Sequence, residues 1–199
     1  TSTSILELNK VPEHLLVIGG NYIGLEFGQM FRRFGSKVTL IEKGPRIVGR
    51  EDEDVSEELT NILEAERIKI FSNAETLKFK NRGRNRISAT VSVCGKGGKV
   101  KCSHVWLAWC CAVYTVYWGL DKTGVKTYER GYIRVNDKLE TSAKGIYALG
   151  DVKGGPAFTH ISYNDYTIVY RNLIKGTNYT TIDRPVPYCM FTDPQLGRV

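Results

Sequence analysis

An α/β nucleotide-binding fold, a parallel sheet flanked by helices, is predicted by three observations. A continuous apolar run at residues 15–18 leads directly into glycine, as a strand buried on both faces of a parallel sheet does. A helical apolar stripe follows, and residues 37–42 read as a second parallel strand that completes a β-α-β unit of about thirty residues. At the first strand-to-helix junction lies Gly19-Gly20-Asn21-Tyr22-Ile23-Gly24, where a Gly-rich turn would aim helix N–H groups at a pyrophosphate.

Each element has its own signal. In the first helix Ile23, Phe27, Met30, Phe31 and Phe34 form one stripe, and Gly35 stands where a left-handed C-terminal cap belongs. A second helix is predicted over 54–66, with Val55, Leu59, Ile62 and Leu63 inward and Arg67 where such a helix end favours glycine. Residues 68–71 read as the third strand. From 76 to 109 the period becomes alternating, with turn signals at 81–85 and 95–98, so an antiparallel meander inserted into a Rossmann-like domain is predicted. Further strands are expected at 132–135 and 146–149. A helix is expected at 162–174, with Ile161, Tyr166, Val169, Leu173 and Ile174 as its apolar candidates and Gly176 as its end.

Composition narrows the function. A 42% hydrophobic share supports a buried core. The net charge of +7 invites a nucleic-acid reading, but the cations look scattered, and the one run, 78–86, is interrupted by Asn81, Gly83 and Asn85. It reads as a solvated hairpin turn, so no nucleic-acid partner is expected. A basic surface would also suit an anionic dinucleotide. No apolar run reaches the roughly 18–20 residues that span a bilayer, and residues 1–10 lack a signal-peptide layout. A cytoplasmic protein with no membrane partner is expected. The five cysteines show no paired CxxC framework, which argues against a zinc site or a disulfide scaffold. Cys110 and Cys111 read as small buried residues rather than a redox or metal-capture pair.

The residue types of the first unit suit a dinucleotide. Gly19 allows the tight turn, and Gly24 lets helix and strand approach closely. Glu42, eighteen residues after Gly24, can accept hydrogen bonds from the adenosine ribose hydroxyls, which favours NAD over NADP. Lys43 and Arg46 are near enough in sequence to meet a 2′-phosphate, and a solvated strand end is the other reading of Glu42. Further on, the apolar run 146–149 ends in Gly150-Asp151, a carboxylate at a strand's carboxyl end, where open α/β sheets bind ligands.

The Gly-rich turn followed by Thr-Ser-Ala-Lys-Gly-Ile-Tyr-Ala-Leu-Gly-Asp at 141–151 resembles the pyridine nucleotide-disulfide oxidoreductases, in particular their mercuric reductase and dihydrolipoamide dehydrogenase branch. The resemblance implies that Gly19 to Gly24 hold the nicotinamide nucleotide, NAD or NADP, and that Gly150 and Asp151 hold the ribityl chain of FAD. It implies that Glu26 lies near nicotinamide and flavin, although a first-turn Glu also complements a helix dipole. It places Phe158, Thr159 and His160 at a helix start against the flavin ring, whose N–H groups would stabilise negative charge on the reduced isoalloxazine. His160 is then a helix-start residue rather than a catalytic base.

The same resemblance divides the chain into an NAD(P)-binding domain (1–109), the C-terminal part of an FAD-binding domain (110–183) and the start of a dimerisation domain (184–199). The family's flavin-binding Gly-rich turn, redox cysteine pair and acid/base His find no match here, so the sequence reads as an internal fragment. No catalytic residue is assigned. The implied parent is a homodimeric flavoenzyme passing hydride from nicotinamide to FAD. A degenerate, non-enzymatic nucleotide-binding or interaction module, or a transhydrogenase or NADH oxidase of the same fold, are the rival readings.

Three departures stand out. Asn21 replaces the middle glycine of the turn, placing a side chain where backbone approaches phosphate; a left-handed backbone there would add strain. Arg67 is the second. The third is 105–118, uncharged and holding all three tryptophans, where a Gly-Arg-x-Pro-Asn turn would be expected. A binding surface, a buried repacking or an altered sequence are the options. The loss of turn-forming residues without evident gain favours the last.

Overall fold

The structure, a computed structural model, describes residues 2–83, 86–108 and 113–199. They divide into two units, Thr1–Cys110 with Met190–Leu196, and Cys111–Cys189 with Gly197–Val199.

In the first unit a short helix α1 (Ser2–Leu6) precedes β1 (His14–Ile18), and α2 (Tyr22–Arg33), β2 (Lys37–Ile41), α3 (Glu53–Ala65) and β3 (Lys69–Phe71) follow. β1, β2 and β3 pair in parallel, and Leu15, Leu16, Val17 and Ile18 are all buried, as the unbroken apolar run requires. The helix faces differ in part from the predicted stripe. Leu25 and Phe31 are buried and Phe27 and Met30 half-buried, but Ile23 and Phe34 are exposed. Gly24 and Gly28 explain this: both are buried, and a Cβ on Gly28 would already touch Val38 and Val17. The face that approaches the sheet is the one with small residues, which a count of large apolar residues overlooks.

Both helix ends use a left-handed residue. At α2 it is Gly35 (φ 102°), with N–H bonds from Gly35 to Arg32 and from Ser36 to Phe31. At α3 it is Arg67 (φ 64°), with bonds from Arg67 to Glu64 and from Ile68 to Leu63. Beside it Glu66 is gripped by Arg33 (Nη2 to Oε1 2.7 Å, Nε to Oε2 3.2 Å), and these bonds hold the Glu66 carboxyl below the usual range.

The predicted meander is three strands, β4 (Ala74–Asn81), β5 (Ile87–Val93) and β6 (Lys96–Cys102), paired antiparallel. Its second turn is Cys94-Gly95, both at positive φ, while Gly97 and Gly98 lie inside β6, in contrast to the predicted turn at 95–98. The expected last strand of the meander leaves it: β7 (His104–Leu107) pairs in parallel with β1 and completes a four-stranded sheet of order β3-β2-β1-β7. Ser103 makes the transfer, its Oγ and N–H both donating to the His14 carbonyl. Trp106 then faces α2, its ring 5.0 Å from that of Phe27, and Val105 packs on the meander side. Met190, immersed in this unit's core, comes from a segment the sequence assigned elsewhere.

The second unit has little regular sheet. Residues 132–135 and 146–149 are not strands: each takes part in single antiparallel bridges, Thr127 with Ile133, Val135 with Thr141 and Glu140 with Tyr147. Among the described residues no strand runs alongside to extend a ladder. A small core of Val125, Ile133 and Ala148 is supported by side chain to backbone bonds such as Ser142 Oγ to the Gly124 carbonyl (2.9 Å). The helix α4 (Thr159–Lys175) ends at Gly176 in the left-handed region. It buries Ile161, Asp165 and Ile168 and half-buries Val169, whereas Tyr166, Leu173 and Ile174 are exposed, so the inward face agrees with the apolar candidates at Ile161 and Val169 and departs from them at the other three. β8 (Tyr188–Met190) and β9 (Leu196–Arg198) are the last strands.

The uncharged interval 105–118 is mixed. Trp106 is buried, while Tyr114, Val116, Tyr117 and Trp118 are exposed; Trp109, Cys110 and Cys111 lie outside the described residues. Burial pushes the Cys102 thiol up to about 11, which makes it an unreactive thiol. Among the described residues no helix is long and apolar enough to cross a membrane.

Two outcomes follow. Arg67→Gly removes a left-handed side-chain penalty of about 1 kcal/mol. It should raise the urea midpoint at unchanged m-value, and an unchanged midpoint would show that the arginine side chain contributes as much as it costs. His14, whose Nε2 lies 2.9 Å from Thr39 Oγ1, has its pKa lowered by burial and then by Lys37. A lowered folded-state value means the unfolded chain binds the proton more readily, so stability should fall as pH drops below about 6.5. His14→Gln should flatten that part of the profile, and identical profiles for both proteins would refute it.

Candidate functional site

The carboxyl ends of β1 and β2 carry the first candidate site. Gly19 (φ 108°) turns the chain out of β1, and its N–H donates to the Ile41 carbonyl (2.9 Å). Gly24 is indispensable: a Cβ there would lie 2.1 Å from the Gly19 carbonyl oxygen. Asn21 is the N-cap of α2 with no side-chain capping bond, in extended backbone (φ −98°, ψ 179°). Asn21 does not adopt the left-handed backbone that would add strain, and glycine would offer no backbone relief there. Helix N–H groups of a first turn lack intrahelical acceptors, and since Asn21 adds no side-chain cap of its own, this end of α2 suits an anion.

Glu42 is not a loose strand end. Its Oε2 accepts from the Gly20 N–H and its Oε1 from the Gly44 N–H, both at 2.6 Å, so one carboxylate fixes the glycine turn against the loop after β2. The loop closes over the turn by two more bonds. Val48 N–H donates to the Gly20 carbonyl (2.7 Å), and Tyr22 Oη donates to Oε1 of Glu51 (2.8 Å), a carboxylate only 3% exposed. Ile23, by contrast, points to solvent. Lys43 pairs with Glu75 at 3.1 Å on the surface, and Arg46 Nη2 donates to the Glu51 carbonyl (3.3 Å).

Glu26 lies in the second turn of α2, whose first turn holds no acidic residue, so the dipole reading does not apply. Its Oε1 accepts the Phe191 N–H (2.8 Å). One turn on, Gln29 exchanges two bonds with the Asp193 backbone (2.9 and 2.8 Å), and Arg33 reaches the Asp193 carboxylate (2.7 Å). These three side chains hold residues 190–196 along α2.

In the second unit Gly150 (φ 68°) opens a 3-10 turn, Gly150–Lys153, and a Cβ on it would meet Ser162 Oγ at 2.7 Å. Asp151 is exposed at this turn. The residue that holds it was not anticipated: Asp165, fully buried, accepts the Gly150 N–H through Oδ2 (2.8 Å). It also pairs with Lys153 (3.3 Å) and Arg184 (2.5 Å). A charged residue four after Ile161 and three before Ile168, on the inward stripe, was the available signal. Phe158 is the N-cap of α4 without a side-chain capping bond. Its ring stacks on His160 (5.4 Å) and on Tyr188 (5.3 Å), and Thr159 and His160 are exposed.

Known proteins share this chain's sequence and fold. The family described as pyridine nucleotide-disulphide oxidoreductase matches residues 1–165. The whole chain is 36% identical to 44% of a probable pyridine nucleotide-disulfide oxidoreductase, RclA, of Escherichia coli, and 36% identical to 42% of the mercuric reductase of Streptomyces lividans. A solved structure of the HOCl-induced flavoprotein disulfide reductase RclA from E. coli, a Cu(II) complex, superposes with a TM-score of 0.90 at 35% identity. The superposition covers 98% of this chain and 44% of that one. The chain thus spans less than half the length of these relatives.

Asp165→Asn should leave Lys153 and Arg184 as unpaired cations, whose side chains are 8% and 14% exposed. Breaking a buried ion pair from one side costs about 3–5 kcal/mol, so the second unit should melt at markedly lower denaturant, followed by proteolysis within 111–189. A midpoint unchanged from the parent would remove Asp165 from its central role.

Proposed function

The chain belongs to the pyridine nucleotide-disulphide oxidoreductase family, and from that premise we propose that it is the nicotinamide-nucleotide-binding part, with a portion of the flavin-binding part, of an NAD(P)H-dependent flavoprotein oxidoreductase. One observation carries the reading: Glu42 bridges Gly20 and Gly44 beside a Gly19–Gly24 contact that admits no side chain. That cradle fits a pyrophosphate at the α2 N-terminus and a ribose at Glu42. Bound together, nicotinamide nucleotide supplies a hydride and flavin accepts it.

The chain's own residues bind and orient. First-turn N–H groups of α2 face the pyrophosphate, and the Tyr22–Glu51 bond keeps the covering loop over the turn. Each carboxylate oxygen has two acceptor sites, so Glu42 can take ribose hydroxyls without releasing Gly20 or Gly44. A 2′-phosphate would bring a second negative charge against it, which supports NADH as the preferred nucleotide. In the second unit Asp165 fixes the turn that offers Asp151 to the hydroxyls of a ribityl chain. The N-terminus of α4 supplies a positive dipole end for the flavin ring.

NADH is expected to bind at least about tenfold more tightly than NADPH, a difference of about 1.4 kcal/mol. Glu42→Ala should bring the two affinities together and weaken both, because the Gly20 N–H also loses its partner. Fluorescence titration with both nucleotides checks this. Equal affinities in the unmodified chain would reject the NADH preference, and no binding of either would reject the nucleotide reading itself.

A further inference from the structure

Charge is distributed very unevenly along this chain. Of its 28 Lys and Arg, eight lie between Thr76 and Leu120, a stretch with no Asp or Glu, and the other 20 are balanced by all 21 acidic residues. Cations that look scattered in sequence are gathered by the register of the meander. Lys78 lies opposite Thr90, and Thr90 opposite Lys99; Lys80 lies opposite Ser88, and Ser88 opposite Lys101. Residues directly opposite share a face. This face therefore has two tracks of lysines with a column of hydroxyls, Ser88 and Thr90, between them. The opposite face carries Ala89, Val91 and Cys102 into the core.

The four lysines are exposed, and among the described residues none is in an ion pair. Alternate residues on a strand are about 6.8 Å apart, and the outer strands of three are separated by about 9.6 Å. The result is an array of four cations at regular intervals with neutral hydrogen-bonding groups in the middle, and Glu75, opposite Ser92 at one end of it, is paired with Lys43.

We infer that this outer face of the β4-β5-β6 sheet is a docking surface for the phosphate backbone of single-stranded nucleic acid. Lysine ammonium groups suit phosphates as point charges, and the Ser and Thr hydroxyls donate to phosphate oxygens between them. A membrane surface is the weaker fit, because one exposed aliphatic side chain beside the rows, Leu77 at the β4 bulge, is little apolar surface for insertion. A sheet face with no helix projecting from it suits an extended strand better than a duplex groove. The rows offer no base-stacking aromatic, so recognition is of the backbone and independent of sequence. This inference stands apart from the nucleotide-binding reading, since it uses none of the residues around the glycine turn.

Anisotropy titration of a labelled oligo(dT) strand with the 199-residue chain tests it. Four lysines at about −0.7 each predict a slope of about −3 for log affinity against log salt concentration. Changing Lys78, Lys80, Lys99 and Lys101 together to Gln should weaken binding by at least about tenfold and bring the slope close to zero. The same change at exposed Lys10, Lys122, Lys138 and Lys144 should leave most of the affinity. The inference fails if the unmodified chain does not bind, if its slope is close to zero, or if the control set loses as much as the face set. It fails equally if phosphatidylserine vesicles outcompete oligo(dT) at matched phosphate. Should the face variant not fold, the slope of the unmodified chain still decides.

Discussion

The contact between Gly24 and the Gly19 carbonyl is the constraint on which the first unit depends. With 2.1 Å between that oxygen and any added Cβ, one methyl group would force α2 away from β1. The helix would then lose its seat over Val17 and Val38, where Gly28 approaches. Trp106 would lose the ring of Phe27, and the α2 N-terminus would move off the sheet edge. The packing that keeps the helix on the sheet and the opening that suits an anion are two results of one close approach. Glu42 adds the electrostatic half, since its carboxylate joins the turn to the next strand by charge-assisted bonds that are stronger than neutral ones.

The second unit solves a similar problem by other means. Its turn at Gly150 is not fixed by a continuous sheet but by a buried anion on α4, balanced by two cations. A carboxylate with no access to water must be fully compensated, and here the compensation comes from the turn's own N–H, its own lysine and Arg184. This makes the geometry around Asp151 depend on residues more than thirty positions apart in the chain. It also explains how a region that has only isolated bridges among its described residues can hold a defined turn.

Much of this was legible in sequence, and the reasons differ by element. The first β-α-β unit, the glycine turn and the caps at Gly35 and Gly176 are local signals, set by burial on both faces and by left-handed backbone. What was missed depends on partners distant in sequence. Alternation over 76–109 announced a meander but could not say that its last strand would pair with β1 rather than β6. Gly97 and Gly98 suggested a turn, yet Cys94 took the left-handed position and left them in the strand. Arg67 was recognised as out of place, and the left-handed position it occupies is why. Asp165 went unremarked because apolar counting gives no weight to a charge on the inward stripe. The side-by-side lysines of the meander are a property of register, which composition does not record.

Met190 and the contacts of Glu26, Gln29 and Arg33 with residues 191–193 bear on how the protein is made. The core of the first unit is complete only when a segment that follows some 80 residues after β7 has joined it. A ribosome adding about 5–20 residues per second needs about 4–16 s to cross that interval. During this time the nascent parallel sheet lacks a core residue, and one side of α2 has polar groups without their eventual partners. Vectorial synthesis therefore imposes an order: the first unit starts early, waits for the second to be translated, and closes last. A chain stalled before Met190 would expose that gap to chaperones and proteases.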